Sequence, residues 1–230
     1  MDRHIQILLN RLSCASITIA TFTIVLLLLH TPDTCVPRHT EPKPHQRFPT
    51  SSCDFSHRSL TSLDKKNQRL WSTKAWLKTV HSFTALFLDL QSLTHLTNHS
   101  KVLCISAGAG HEVMALHQIG VRDVTGVELL DSPPLVSRAD PHNLPFFDDV
   151  FDLGFSAHLD QALFPTRFAL EMERSVRVGG VSVLAVEECG DVEVREIAKL
   201  FRKSRFVSAK NVTLIGLKMT RLILRKYMLM

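Results

Sequence analysis

Residues 102–110 read VLCISAGAG, an apolar run passing through small residues into Gly108-Ala109-Gly110, with His111-Glu112 next. Two glycines one residue apart at the end of an apolar run mark a bend where something must approach the main chain closely. Val102–Ile105 has strand character, and Glu112–Gln118 has helical character closed by Gly120, so the stretch reads as strand, turn and helix. Working outward, Val124–Leu129 and Phe151–Ser156 read as further strands. Phe168–Val176 reads as a helix ended by Gly179-Gly180, followed by the strand Val181–Val186. A helix over Glu193–Arg202 and strands near Phe206–Leu214 and Met219–Leu224 complete the pattern. Upstream, Trp76, Val80, Phe83, Leu86, Phe87, Leu90 and Leu93 recur at helical steps and predict a core-facing lead-in helix. Strand–helix alternation predicts an α/β domain over residues 63–230, with an open, mostly parallel, Rossmann-like sheet covered by helices on both faces. Ligands of such sheets lie at the carboxyl ends of the strands.

Glu128 stands at the end of the second strand, in the run VTGVELL. A carboxylate at that position can accept two hydrogen bonds from a ribose diol. Dinucleotide-binding proteins share this feature, but their G-x-G-x-x-G pattern wants a third small residue where this chain has Val113.

Over residues 102–186 the chain resembles the S-adenosylmethionine-dependent methyltransferases of the methyltransferase type 11 group. The segments ADPHNLPFFDDVFDLGFS and EMERSVRVGGVSVLAV resemble that family's acidic-Leu-Pro-Phe stretch and its Glu-x-x-Arg helix leading to Gly-Gly. The phrase DSPPLV is similar to small membrane-anchored plant-type members. The resemblance implies a class I methyltransferase sheet and S-adenosyl-L-methionine as cofactor. It implies that Ser106, Gly108 and Gly110 pass under the methionine and ribose, and that Glu128 holds the ribose hydroxyls. Asp140 would lie near the adenine amino group, with Asn143 and Leu144 completing that pocket. Phe146 and Phe151 would be core, and Asp152 a structural residue.

The chain departs from that pattern at several points. Cys104 stands where members carry an acidic residue that helps hold the methionine amino group, and Ser106 stands where they carry a glycine. Glu112, one turn on, could take over the acidic role or be an exposed helix carboxylate. Only Asp131–Pro134 separates Leu130 from Leu135, whereas a parallel crossover normally takes a dozen residues or so. Leu135–Arg138 is therefore not expected to be an ordinary third strand reached through a helix. Val178 replaces a common proline.

Methyl transfer from a sulfonium is an in-line displacement in which the protein mainly aligns donor and acceptor. His158, just after the strand Phe151–Ser156, is the candidate catalytic base, with Asp160 and Ser156 weaker ones. The expected activity is methyl transfer to an unidentified acceptor, a small molecule or a secretory-pathway molecule. The alternative is a degenerate, membrane-anchored binding or scaffold protein that has kept the fold. No G-x-S-x-G elbow is present to support a hydrolase.

The first hundred residues hold 11 of the 27 basic and 6 of the 22 acidic residues, so the net charge of +5 lies there. A basic flank beside a hydrophobic segment suits a membrane surface better than nucleic acid, which is not expected as a partner. Between Arg11 and Asp33 lie 21 residues without formal charge, about 30 Å as a helix. After a short tail (1–12), residues 13–31 are read as an uncleaved transmembrane signal anchor; a cleaved signal peptide is the rival. Single-pass residence in an endomembrane such as the endoplasmic reticulum or Golgi follows. Residues 32–62, rich in Pro, His, Ser and Thr, read as a disordered linker. Asn98 and Asn211 head glycosylation sequons. Five scattered cysteines and twelve scattered histidines indicate no metal site, and no segment specifies an oligomeric state. The nine basic residues beyond Glu196 read as a solvated sheet edge.

Overall fold

The computed structural model describes residues 3–30 and 63–228. The chain divides into two units, Met1–Gln68 and Arg69–Met230. The first holds helix α1 (Arg3–His30), whose residues 11–26 are exposed. Its Ser16, Thr18, Thr21 and Thr23 hydroxyls donate to backbone carbonyls one turn earlier. Among the described residues no helix is long and apolar enough to cross a membrane, so the transmembrane expectation for residues 13–31 gains no support there. The linker expected over residues 32–62 lies outside the described residues. A short helix α2 (Leu63–Trp71) follows.

The second unit is built on helix α3 (Lys74–Ser92) and a seven-stranded sheet. In chain order its elements are β1 (Lys101–Ile105), α4 (His111–Gln118), β2 (Asp123–Glu128), β3 (Val136–Arg138) and β4 (Phe151–Ser156). There follow α5 (Pro165–Ser175), β5 (Val176–Glu187), α6 (Asp191–Lys199), β6 (Ser204–Leu214) and β7 (Leu217–Lys226). The strand order is β3-β2-β1-β4-β5-β7-β6. All neighbours are parallel except β7, which is antiparallel to both β5 and β6.

As expected, no helix lies between the second and third strands: Val136–Arg138 is a three-residue parallel strand reached directly from β2. It pairs Val136 with Gly126 and Arg138 with Glu128, so the chain falls back only two residue rises, about 7 Å. A helix is needed to return along a whole strand, not along this fragment. Ser132 and Val136 exchange both backbone hydrogen bonds at 3.0 Å and close the turn. The expectation for Gly179-Gly180 is corrected. They do not end a helix: α5 stops at Ser175 and β5 begins at Val176. The glycines lie inside β5, where the pairing with β4 shifts register. A Cβ on Gly180 would come within 2.7 Å of the Asp152 carbonyl oxygen.

The core has two layers, one on each face of the sheet. On one face Val80, Phe83, Phe87 and Leu90 of α3 meet Val102, Cys104 and Phe155, with Phe87 and Phe155 edge to face at 4.9 Å. On the other, Phe168 and Met172 of α5 cover Leu103, Ile105, Leu184 and Leu222. Phe151 is buried in this layer and Phe146 packs on it. Asp152 is structural, accepting from the Lys101 N–H and pairing with Arg177.

The basic carboxyl-terminal strands are not simply a solvated edge. β7 lies inside the sheet, and Arg221 and Lys226 are buried. Arg221 pairs with Asp89 of α3, while the Lys226 ammonium donates to Asp149 at 2.8 Å and to the Val176 carbonyl at 2.7 Å.

Candidate functional site

The chain leaves β1 and turns through Ser106, Ala107, Gly108, Ala109 and Gly110 before α4 begins. Ser106, Gly108 and Gly110 all have positive φ, at 56°, 51° and 98°. The two glycines serve different ends. A Cβ on Gly110 would stand 2.7 Å from the Leu135 Cβ, so this glycine is required by the short β2–β3 connection lying over the turn. A Cβ on Gly108 would meet nothing within 4 Å; it borders open space. Val113, too large for the dinucleotide pattern, finds its room at Gly126 of β2, where a Cβ would come within 2.6 Å of the valine Cγ2.

The open space is a hollow of about 350 Å³ at the carboxyl ends of the strands. Ser106, Gly108, Glu128 and His158 line it, with Leu129, Pro141, His142, Gln161 and Phe168 among its other walls. The Glu128 carboxylate is fixed by two backbone donors: Oε2 accepts from Gly108 N–H at 3.2 Å and Oε1 from Leu129 N–H at 2.8 Å. Each oxygen keeps a lone pair for a further donor. The His158 N–H donates to the Ser156 hydroxyl at 3.2 Å, and His158 Nδ1 is buried without a hydrogen-bond partner among the described residues.

Four of the residues expected at the site thus meet around one hollow: Ser106, Gly108, Glu128 and His158. The others stand apart from its walls. Gly110 packs under Leu135. Asp140 is exposed, its carboxylate accepting from the His142 backbone N–H at 2.8 Å and ring Nδ1 at 3.1 Å. That backbone hydrogen bond is the leading cause holding its pKa below the ordinary aspartate value. Asn143 donates its N–H to the Asp140 carbonyl at 3.0 Å. Leu144 is buried, and its N–H donates to Glu171 at 2.9 Å. Glu171 in turn pairs with Arg174, which reaches the Leu144 and Phe146 carbonyls and locks this loop onto α5. His142 and Gln161 carry no distinguishing signal in the sequence. His142 sits in the ADPHNLP segment, but a histidine within a loop carries no periodicity to mark it.

Glu112 is not an exposed carboxylate. It is 3% exposed in the first turn of α4, and its Oε2 has no hydrogen-bond partner among the described residues. Burial pushes its pKa up to about 8, with the like charge of Glu128 adding to the effect. Neighbouring Cys104 is buried, and burial, reinforced by Glu112, raises its thiol well above the usual range.

His158 and Gln161 also belong to a second cavity, of about 410 Å³. Its walls include Phe83, Asp160, Glu187, Glu188 and Leu217. The two spaces therefore share a partition at the end of β4. Among the described residues no group of three His, Cys, Asp or Glu side chains is placed to hold a metal ion.

No protein-family model matches the sequence, and no curated protein is detectably similar to it. Solved structures do share its fold. A 1,6-didemethyltoxoflavin-N1-methyltransferase from Burkholderia thailandensis, solved with its substrate and S-adenosylhomocysteine, superposes with a TM-score of 0.53. It is 17% identical, over 71% of this chain and 84% of that one. A SAM-dependent methyltransferase from Aquifex aeolicus gives 0.52 at 14% identity, over 71% and 98% of the two chains. The 4+2 cyclase SpnF gives 0.51 at 14% identity, over 63% and 80%. At these identities the likeness establishes the fold alone: a Rossmann-like methyltransferase sheet, shared with an enzyme named for a different reaction.

Proposed function

We propose that the chain is an S-adenosylmethionine-dependent methyltransferase. The observation that carries this reading is the convergence of Ser106, Gly108, Glu128 and His158 on one hollow at the carboxyl ends of β1, β2 and β4. The residues fit the cofactor in kind. Gly108 offers bare main chain facing open space, and Glu128 keeps an acceptor on each oxygen for a ribose diol. Two of the solved structures that share the fold are named as methyltransferases, one of them holding S-adenosylhomocysteine.

S-Adenosylmethionine would supply an electrophilic methyl group bonded to a positively charged sulfur. Glu128 would fix the ribose, while Leu129, Pro141 and Phe168 give the nucleoside apolar walls. Asp140, Asn143 and Leu144 act on the adenine side by holding the loop that carries Pro141 and His142. His158, in the partition between the two cavities, would take a proton from the acceptor through a ring nitrogen. The acceptor would enter through the neighbouring cavity. Its apolar Phe83 and Leu217 and its carboxylates Asp160, Glu187 and Glu188 suit a molecule with an apolar body and a basic group.

A further part of the reading, single-pass anchorage in an endomembrane, rests on the run of sequence without formal charge between Arg11 and Asp33. Extraction by detergent but not by alkaline carbonate is the expected outcome. A glycosidase-sensitive mass shift would place the exposed Asn98 or Asn211 in the lumen.

Calorimetry on the full chain tests the enzymatic reading. S-Adenosylmethionine should bind, and Glu128→Ala should weaken it at least tenfold. No binding by the unaltered protein overturns the proposal. Binding without methyl transfer to any of a broad panel of amine acceptors would favour the degenerate scaffold instead.

A further inference from the structure

We propose that a second binding site, independent of the donor hollow, lies at the opposite end of the sheet and takes a phosphate group.

A cavity of about 310 Å³ opens where β1, β4 and β5 begin and β7 ends. Its walls carry Arg177, Arg225, His95 and His99, with the hydroxyls of Thr97 and Ser100 beside them. Asp152 is the one carboxylate among the described walls. Both of its oxygens are already engaged: Oδ2 accepts from the Lys101 N–H at 2.7 Å, and Oδ1 pairs with Arg177 Nε.

The cations here outnumber the carboxylates that face them. Arg225 donates through Nη2 to a ring nitrogen, His95 Nδ1, at 3.1 Å. The ring proton of His95 then stays on Nε2, as a further donor. Burial, followed by the charges of Arg225 and Arg221, shifts this imidazole toward its neutral form. Arg205 of β6 stands directly opposite Arg225 in the ladder, its guanidinium 4.7 Å from the Tyr227 ring. Like charges placed opposite one another across a sheet repel, so an anion at this end would relieve a cost the fold otherwise carries.

Hydrogen-bond donors are in excess as well. Each guanidinium has five N–H groups, and the contacts to Asp152 and His95 engage one on each arginine. The Thr97 and Ser100 hydroxyl oxygens lie 2.9 Å apart, and the Thr97 N–H donates to the serine oxygen at 3.0 Å. One hydroxyl proton bridges that pair and the other is left to donate outward. Phe151 pairs with Val176 and Leu153 with Val181, so residues 177–180 of β5 bulge against Asp152 alone. Bulges of this kind recur beside functional sites, where they re-aim a side chain. This one brings Arg177 to the cavity, and it presents Gly179, with φ at 82°, as bare main chain where a Cβ would meet nothing within 4 Å.

A small concave space with surplus cations, surplus donors and no unengaged carboxylate matches an oxyanion. A phosphate group fits it better than a carboxylate, because it offers three terminal oxygens and up to two charges to donors arriving from β5, β7 and the loop before β1. Free phosphate, a soluble phosphate ester and a lipid headgroup all carry that chemistry, and the test separates them.

The test is calorimetry on the full chain at neutral pH and constant ionic strength. The probes are inorganic phosphate, glycerol 3-phosphate, dihexanoyl phosphatidic acid below its micellar concentration, and acetate. Phosphate should bind at one site, and acetate should not bind. Arg177→Gln and Arg225→Gln should each weaken phosphate at least tenfold, whereas Arg195→Gln, on α6 away from the cavity, should leave it unchanged. Equal affinity for the three phosphate probes assigns free phosphate as the ligand. Tighter binding of glycerol 3-phosphate assigns an ester, and a further gain with the phosphatidic acid, lost in Arg225→Gln, assigns a lipid headgroup. Failure of the unaltered chain to bind any of the three overturns the proposal, as does equal binding of acetate. So does phosphate binding that survives both arginine substitutions together. S-Adenosylmethionine should bind Arg225→Gln as it binds the unaltered chain, so this site and the donor reading stand or fall separately.

Discussion

Leu135 occupies the space that a side chain on Gly110 would need: a Cβ at that glycine would stand 2.7 Å from the leucine Cβ and 3.1 Å from its Cδ1. The glycine-rich turn is thus shaped partly by the chain's own β2–β3 connection, and only partly by what lies beyond Gly108.

That division separates two otherwise similar substitutions. Gly110→Ala combines left-handed backbone strain with a steric clash, and a loss of about 2–4 kcal/mol is expected. Gly108→Ala carries the strain alone, about 1–2 kcal/mol. Chemical denaturation of the full chain measures both. Adding Leu135→Gly, which removes the Cβ that causes the clash, should recover part of the Gly110→Ala loss and none of the Gly108→Ala loss.

Glu112 makes stability depend on pH. Its carboxyl is raised from an ordinary value near 4.5 to about 8 in the folded chain, so the native state holds the proton more tightly than the unfolded state. This contribution is full below about pH 4.5 and declines as pH rises toward 8, by at most about 1.4 kcal/mol per unit. Denaturation profiles between pH 5 and pH 9 should be flatter for Glu112→Gln. An unchanged profile would remove Glu112 as their source.

Asp89 and Arg221 join α3 to β7, with the arginine 2% exposed and the aspartate side chain 35% exposed. Asp89→Ala leaves a buried guanidinium without its carboxylate and should cost about 3–5 kcal/mol. Arg221→Met in the same chain should restore most of that loss. A double-mutant cycle by urea denaturation measures the recovery.

The first strand, the turn, α4 and Glu128 were all legible because each carries a local signal: an apolar run, paired glycines, a helical period, a carboxylate closing a strand. The missing helix between β2 and β3 was legible from the four residues between them, but the short parallel strand that follows was not. The dozen-residue expectation assumes a return along a full strand, whereas Val136 re-enters only two residues back from Glu128. The glycines at 179 and 180 read as a helix stop but lie inside β5, where local chemistry is the same and only the pairing with β4 decides. In the site, Ser106, Gly108, Glu128 and His158 follow strand ends and could be placed by topology. His142 and Gln161 reach the hollow through loop conformation, which residue spacing does not encode. The burial of Glu112 depends on how α4 is rotated against β1 and β2, and a single carboxylate on a short helix does not reveal that rotation.

The interior position of β7 bears on how the polypeptide is assembled during translation. Residues 217–226 are synthesised after every other strand, yet they separate β5 from β6. Until they leave the ribosome β6 has no neighbour, Asp89 lacks Arg221, and β5 exposes an open flank. A nascent chain arrested before Leu217 would hold only the parallel part of the sheet, with an unpaired border available to chaperones.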